Sequence, residues 1–400
     1  MNPLIQLKRT SQLFVLTFLL ACFGVLNGAQ AVITDPEGWF AGGNTGSGEY
    51  ALLNLGQGRF NTAVGLSSLH GLRDGTFNTG VGAGALSANT ADNNTATGAA
   101  ALLVNTTGAD NTANGTSALG RNILGSWNTA VGSQALASNT GYENTAIGFQ
   151  ALSSNTDGSF NDALGYSALG SNTLGTFNVG IGWGTLLLNT IGGGNTALGY
   201  EALSSDTTGS ANTALGYYAG WSVTDAYNVI CIGSLGANVS NSTWINNIYG
   251  VTTQSGTTAP VVVSDGGQLG IVASSERFKK DIARMKDASE AILSLRPVTF
   301  HYKTDARETP QFGLIAEEVA KVNPALVLPD KDGKPYTVRY DAVNAMLLNE
   351  FLKEHRKVEK LEAALRAVSE RLAEQDAKIA KVSAQLELRK SAPQTVLNDR

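Results

Sequence analysis

From Asn61 to Asn212 the apolar and polar positions of this chain recur with a fixed period. Asn61-Thr62-Ala63-Val64-Gly65 returns as Asn78-Thr79-Gly80-Val81-Gly82 and as Asn94-Thr95-Ala96-Thr97-Gly98. The leading asparagine then recurs at Asn111, Asn128, Asn144, Asn161, Asn178, Asn195 and Asn212, always 16 or 17 residues on. Between copies lies a second half of the form Ala-Leu-x-x-Asn-Thr, as in Ala135-Leu136-Ala137-Ser138-Asn139-Thr140. A fixed short period of this kind marks a solenoid. It is too short for a helical-pair repeat and fits one coil made of two short strands and two corners. Ala, Val, Ile and Leu alternate with small polar residues, as strands with one buried face require. Asn and Gly recur at the corners because they tolerate positive φ. Stacking aligns the asparagines into ladders whose amides can bond the next coil. About ten coils at ~4.8 Å make a rod on the order of 50 Å.

After Ser274 the pattern changes. Residues 287 to 295 suit a short helix, ended by Pro297. Val298 to Tyr302 reads as a strand, and Gln311 to Ile315 as another that runs into a helix at Ala316 to Val319, broken by Asn323-Pro324. Asp330-Lys331-Asp332-Gly333 is a hairpin turn between Ala325 to Leu328 and Tyr336 to Tyr340. Asp341 is placed to cap a final helix. Along that helix Val358, Leu361, Leu365, Val368, Leu372, Ile379, Val382 and Leu386 follow steps of three and four, with Gln375 the polar interruption. Such a seam predicts a coiled coil. The expected fold class is mainly β with an α+β C-terminal domain: a β-roll or β-solenoid, then a small domain ending in a long coiled-coil helix.

Composition sharpens the seam between these parts. Glycine is abundant, 46 in 400 residues, without a collagen-like three-residue period. All but five of the 28 Lys and Arg residues lie after Ser274, and the net charge of -5 gives no reason to expect a nucleic-acid partner. At the N-terminus Lys8 and Arg9, the apolar run Leu13 to Val25 and Ala29-Gln30-Ala31 form an export signal, so the mature chain is expected to begin near Val32. Leu19-Leu20-Ala21-Cys22 leaves open a lipid-bearing Cys22. The chain is therefore expected to be secreted or held at a bacterial cell surface, with no transmembrane span in the mature chain. Cys231, in an apolar run, is expected to be a buried inert thiol. The organisation expected is a signal at 1–31, an N-terminal segment at 32–54, repeats at 55–235 and a β-rich connector at 236–273. A C-terminal domain at 274–345, a coiled coil at 346–390 and a disordered tail at 391–400 follow.

The rod itself offers little chemistry. Calcium-binding nonapeptide rolls need Asp after paired glycines, and these corners carry Asn, Thr and Ser. Asp74, Asp110, Glu143, Asp157, Asp162, Glu201 and Asp206 fall at different repeat positions, which favours no carboxylate pair for glycosidic cleavage and reads as solvated corners. No cofactor and no metal are expected. Phe60, Phe77, Trp127, Phe160 and Phe177 precede the core Asn and form a stripe. Buried packing between coils or chains is favoured for it over contact with a sugar or protein ligand. A thin coil of Ala, Val and Leu buries little apolar surface, so side-by-side association of several copies is expected.

Candidate chemistry sits at Ser274-Ser275-Glu276-Arg277-Phe278-Lys279. A serine five residues before a lysine can form a nucleophile and base without histidine. The lysine must first lose its proton, which an unperturbed pKa of ~10.4 opposes and which burial or neighbouring cations favour. Ser275 with Lys280 is a second register. His301, on a strand, reads as structural.

The Asn-Thr-Ala-x-Gly repeats over about 55 to 235 resemble the β-roll heads of bacterial trimeric autotransporter adhesins. The family's C-terminal membrane anchor is absent, and the period here is longer. The order Ser274-x-x-Arg277-x-Lys279-x-Asp281-Ile282, Leu295-Arg296-Pro297-Val298-x-Phe300-x-Tyr302, Gly313-Leu314-Ile315-Ala316-Glu317-Glu318-Val319, Asp332-Gly333 and Tyr340, ending in a heptad seam, has a second resemblance. It is similar to the C-terminal intramolecular chaperone domain of phage endosialidase tailspikes, shared with other tail fibres and the myelin regulatory factor. This resemblance implies a homotrimer, aligned by its C-terminal helices and then cut before the motif serine. By position it makes Ser274 the nucleophile, Lys279 the general base and Ala273-Ser274 the scissile bond. The family usually carries an acid after the serine, where this chain has Ser275. A fibre that never cuts, and a fibre that degrades polysaccharide, are the alternatives.

Overall fold

The computed structural model describes residues 38–390. The export signal, the cleavage position near Val32, Cys22 and the 391–400 tail lie outside the described residues. The chain divides into two compact units between Gly256 and Thr257.

The first unit is a β-solenoid. Its strands form one fourteen-stranded sheet in sequence order, from Gly38–Phe40 to Ser242–Ile245. Every pairing after the first is parallel, with equivalent positions opposed: Thr129 faces Thr145, Ala130 faces Ala146 and Val131 faces Ile147. The first pairing is antiparallel, Gly38–Phe40 against Asn44–Ser47, and covers the leading edge of the stack. Each repeat contributes one three-residue strand rather than the two expected. The Ala-Leu half is built from turns. Ala135 donates to the Gly132 carbonyl, Asn139 donates to the Leu136 carbonyl, and Leu136 donates to Ala151 of the next coil. Leu136 reaches this arrangement with φ of 50°, a left-handed conformation costly for a branched side chain. Complete burial of Leu136 beside Ala130 and Ala135 offsets that cost.

Two asparagine ladders run through the buried interior. In the first, Asn128 donates its amide to Asn111 Oδ1 at 3.1 Å and to the Gly141 carbonyl at 3.0 Å, while its own Oδ1 accepts the Asn144 N–H at 3.0 Å. The strand glycine sets how closely coils stack. At Gly65, with φ of 123°, an added Cβ would lie 2.7 Å from the Gly82 carbonyl. The second ladder links the Ala-Leu halves: Asn105 donates to Asn89, Asn122 to Asn105, and so on to Asn189, which donates to Asn172 at 2.9 Å. Its next member is Asp206. A carboxylate has no hydrogen to donate, and Asn189 Oδ1 is left buried without a partner. Asp206, expected to be a solvated corner, is completely buried. It accepts from the Gly209 N–H at 2.7 Å and from Asn212 at 3.1 Å. Burial nonetheless pushes its pKa up to about 6, with the neighbouring Asp225 adding to the rise.

Within the single chain the aromatic stripe packs ring on ring between coils and stays exposed to solvent. Phe177 and Phe60 are about three-fifths exposed, at 62 and 57 %. Rings on neighbouring coils stack on one another, Phe160 on Phe177 at 4.9 Å and Phe60 on Phe77 at 5.2 Å, and present their edges to solvent. A second row follows the strand glycine: Phe149, Tyr166, Trp183, Tyr200 and Tyr217, with ring centroids 5.0 to 5.5 Å apart. Cys231 takes the inward strand position opposite Ala214 and is buried, which pushes its thiol up.

The second unit opens with a short antiparallel pair, Val262–Val263 with Leu269–Gly270. A nine-residue 3-10 segment, Lys286–Ser294, precedes the hairpin of Val298–Phe300 with Gln311–Gly313. Helix α1 (Ala316–Val322) ends at Asn323, whose side chain accepts the Ala325 N–H as Pro324 turns the chain. Strands Val327–Pro329 and Pro335–Val338 flank the Asp-Gly turn. Helix α2 spans Tyr340–Lys390, so Asp341 lies in its first turn rather than at its cap. A small core of Ala316, Val319, Leu326, Val338 and Met346 holds α1, the hairpin and the start of α2 together. From Glu354 to Arg389 every α2 residue is exposed, the seam from Val358 to Leu386 included.

Two stability predictions follow from the ladders. Asn128→Ala leaves the Asn144 N–H without a partner and removes the amide's bonds to Asn111 Oδ1 and the Gly141 carbonyl; it should cost on the order of 3 kcal/mol, measured by denaturant unfolding against Thr112→Ala, at an exposed strand position, as control. The Asp206 carboxyl is held above its ordinary value, so the folded chain binds more protons than the unfolded one between about pH 4 and pH 6. Stability therefore falls as pH rises through that window and stays low above it. Asp206→Asn supplies the missing donor to Asn189; it should unfold at higher temperature than wild type at pH 7.5, and the gain should shrink at pH 4.5. An equal gain at both pH values would refute the assignment.

Candidate functional site

The segment before the helices is what positions the candidate pair. Ser274 follows the extended residues after Leu269–Gly270, and one 3-10 turn, Glu276–Phe278, comes directly after Ser275. That turn is closed by the Phe278 N–H donating to the Ser275 carbonyl at 3.0 Å and the Lys279 N–H donating to the Glu276 carbonyl at 2.9 Å. It folds the chain back by a single turn, enough for the long Lys279 side chain to reach the start of the segment. The Lys279 ammonium donates to Ser274 Oγ at 3.2 Å. Of the two Ser-Lys registers in the sequence, this one is closed by a hydrogen bond. Ser275 contributes its carbonyl to the turn. Arg277 lies over the Phe278 ring, 4.7 Å from its centroid. The whole stretch from Ile271 to Lys286 is exposed to solvent. As a protonated donor Lys279 orients the serine oxygen; to remove the serine proton it must first be neutral.

The residues downstream of this segment are tied to one another. The Lys286–Ser294 segment is tied to α2 by polar contacts across some sixty residues of sequence. Ser289 donates to Glu350 at 2.5 Å and Asn349 donates to Ser289 at 2.6 Å and to the Lys286 carbonyl at 2.9 Å. Lys353 pairs with Glu350 at 2.9 Å, Glu290 at 3.2 Å and Asp287 at 3.4 Å. The Ser289 and Lys353 hydrogen bonds hold the Glu350 carboxyl below its usual value, and the Glu350 contact in turn raises Lys353. Sequence reading missed this cluster, since no local spacing relates Ser289 to Glu350. Arg296 and Glu318, both in the quoted motifs, meet in a fork: Nε donates to Oε2 at 3.1 Å and the second nitrogen to Oε1 at 2.5 Å. The Arg296 contact lowers the Glu318 pKa. Tyr340 fastens the hairpin to α2 by accepting the Leu314 N–H at 3.0 Å. His301 lies just past its strand and is exposed.

Among the described residues no cluster of three or more His, Cys, Asp or Glu side chains is placed to hold a metal ion. No described helix is long and apolar enough to cross a membrane.

No curated protein and no solved structure matches the chain. Residues 274–328, a span that opens on Ser274 and takes in the Lys279 contact, the Arg296–Glu318 fork and α1, match the family model described as chaperone of endosialidase.

Proposed function

We propose that the chain is an exported homotrimeric fibre whose C-terminal domain aligns three copies and then releases itself by cutting Ala273-Ser274. The observation that carries this reading is the Lys279–Ser274 hydrogen bond at the head of the matched segment. Helix α2 supports the assembly half. Its seam from Val358 to Leu386 is exposed, with no described residue covering it, and isolated helices do not keep such a stripe in water without a partner. At 51 residues the helix is ~75 Å long, ample for a coiled coil.

The cut would run in cis. Neutral Lys279 takes the Ser274 hydroxyl proton as Oγ attacks the Ala273 carbonyl carbon. The C–N bond then breaks, the proton passes to the Ser274 nitrogen, and an ester joins Ala273 to Ser274 Oγ. Water hydrolyses that ester, leaving a carboxylate on Ala273 and restoring the hydroxyl. In the single chain both residues are exposed; a neighbouring copy that covers them would strip water from the ammonium and favour the neutral amine. Cutting would then wait for assembly. The released product is a rod held at a bacterial surface or secreted, where it can meet a cell-surface or polysaccharide ligand.

Gel and intact-mass analysis of purified protein tests this. Wild type should yield a fragment beginning at Ser274, while Ser274→Ala stays full length and Lys279→Ala slows release by about 10²-fold or more. Light scattering should still count three copies of each variant. Wild type that remains full length in the trimer refutes the cut, and release from Ser274→Ala but not from Ser275→Ala refutes the register. Leu361→Asp with Leu365→Asp should give monomers and no fragment; trimers from that variant would refute the role given to the seam.

A further inference from the structure

The rod carries an apolar face that is continuous over its later coils. Outward strand positions are opposed from coil to coil, and over five coils they are Ile147, Leu164, Ile181, Leu198 and Leu215. Two residues further along each coil lies the second aromatic row, from Phe149 to Tyr217. Both rows are exposed, from 37 % at Ile181 to 69 % at Tyr217. In earlier coils the first row holds Val64, Val81, Thr97, Asn114 and Val131, and the second Leu66, Ala83, Ala99, Thr116 and Ser133, so the apolar run there is interrupted and carries no aromatic ring. One acid, Asp162, stands among the strand residues of these five coils.

Together the ten side chains expose roughly 900 Å², given the area of aromatic and branched residues. That exceeds the few hundred Å² usual for a free surface and equals the ~800 Å² per partner of a standard protein interface. The rings lie nearly parallel along the rod, within 6 to 21° of one another, so their faces are spent on each other and only edges point outward. A sugar stacks on a ring face, so this is poorly suited as a carbohydrate platform. A partner matching both rows over five coils must repeat at the coil spacing, and a second copy of the same rod does so.

We infer that the face formed by the Ile147–Leu215 and Phe149–Tyr217 rows is the surface through which rods of neighbouring copies pack. This rests on the proposed assembly and adds where the rods touch: along their later coils.

The test places a photoreactive benzoylphenylalanine in the full-length chain, at Trp183 on the face or at Leu174 on a corner. Light scattering gives the copy number, circular dichroism confirms folding, and irradiated samples are run on a denaturing gel. Copy-to-copy crosslinks from position 183 and few from 174 are expected. Trimers that crosslink equally from both positions, or not from 183, overturn the packing face while leaving assembly intact. Monomers overturn both readings.

Discussion

Everything in the rod depends on one requirement: each coil must satisfy the polar groups of its neighbour. The coil is too thin to build a core from large side chains, so its interior is Ala, Leu and Asn. Buried asparagine is stabilising only when its donors and acceptors are all met. Strict repetition achieves this, because the position that needs a donor in one coil always faces the position that supplies one in the next. Asp206 shows the rule by breaking it. One missing amide hydrogen leaves Asn189 Oδ1 unpartnered, and burial raises the pKa of the carboxyl that stands in its place.

The C-terminal unit obeys a different constraint. Its core is small, and much of its order comes from polar ties between the Lys286–Ser294 segment and α2. The candidate serine and lysine sit before those ties, on an exposed stretch shaped by a single 3-10 turn. Such an exposed stretch is free to rearrange, whereas the tied residues that follow it are not. In the proposed function this difference separates the part that must respond to neighbours from the part that must hold still.

Much of the rod was legible because its signal is repetition. Ala130 and Ala146 are inward and Asn128 is in a ladder because their counterparts are in every coil. The turn-built Ala-Leu half was not legible, since Leu136 adopts a left-handed backbone that neither its propensity nor any alternation announces. The second aromatic row escaped notice because it mixes Phe, Tyr and Trp and begins only at Phe149. In the C-terminal unit, motif order placed Ser274 and Lys279 within reach of each other, a local relation across five residues. The Ser289–Glu350 contact spans 61 residues and leaves no such trace.

The Gly65 column has a wider consequence. Because the coil-to-coil step is imposed by backbone contact at one glycine per coil, it does not depend on which residues occupy the outer surface. Coils are thus interchangeable units of length. Loss or duplication of one 16- or 17-residue block in the gene would shorten or extend the solenoid by one step, carrying its ladders with it and leaving both ends unchanged. Evolution can therefore set the length of the solenoid separately from the residues on its outer surface.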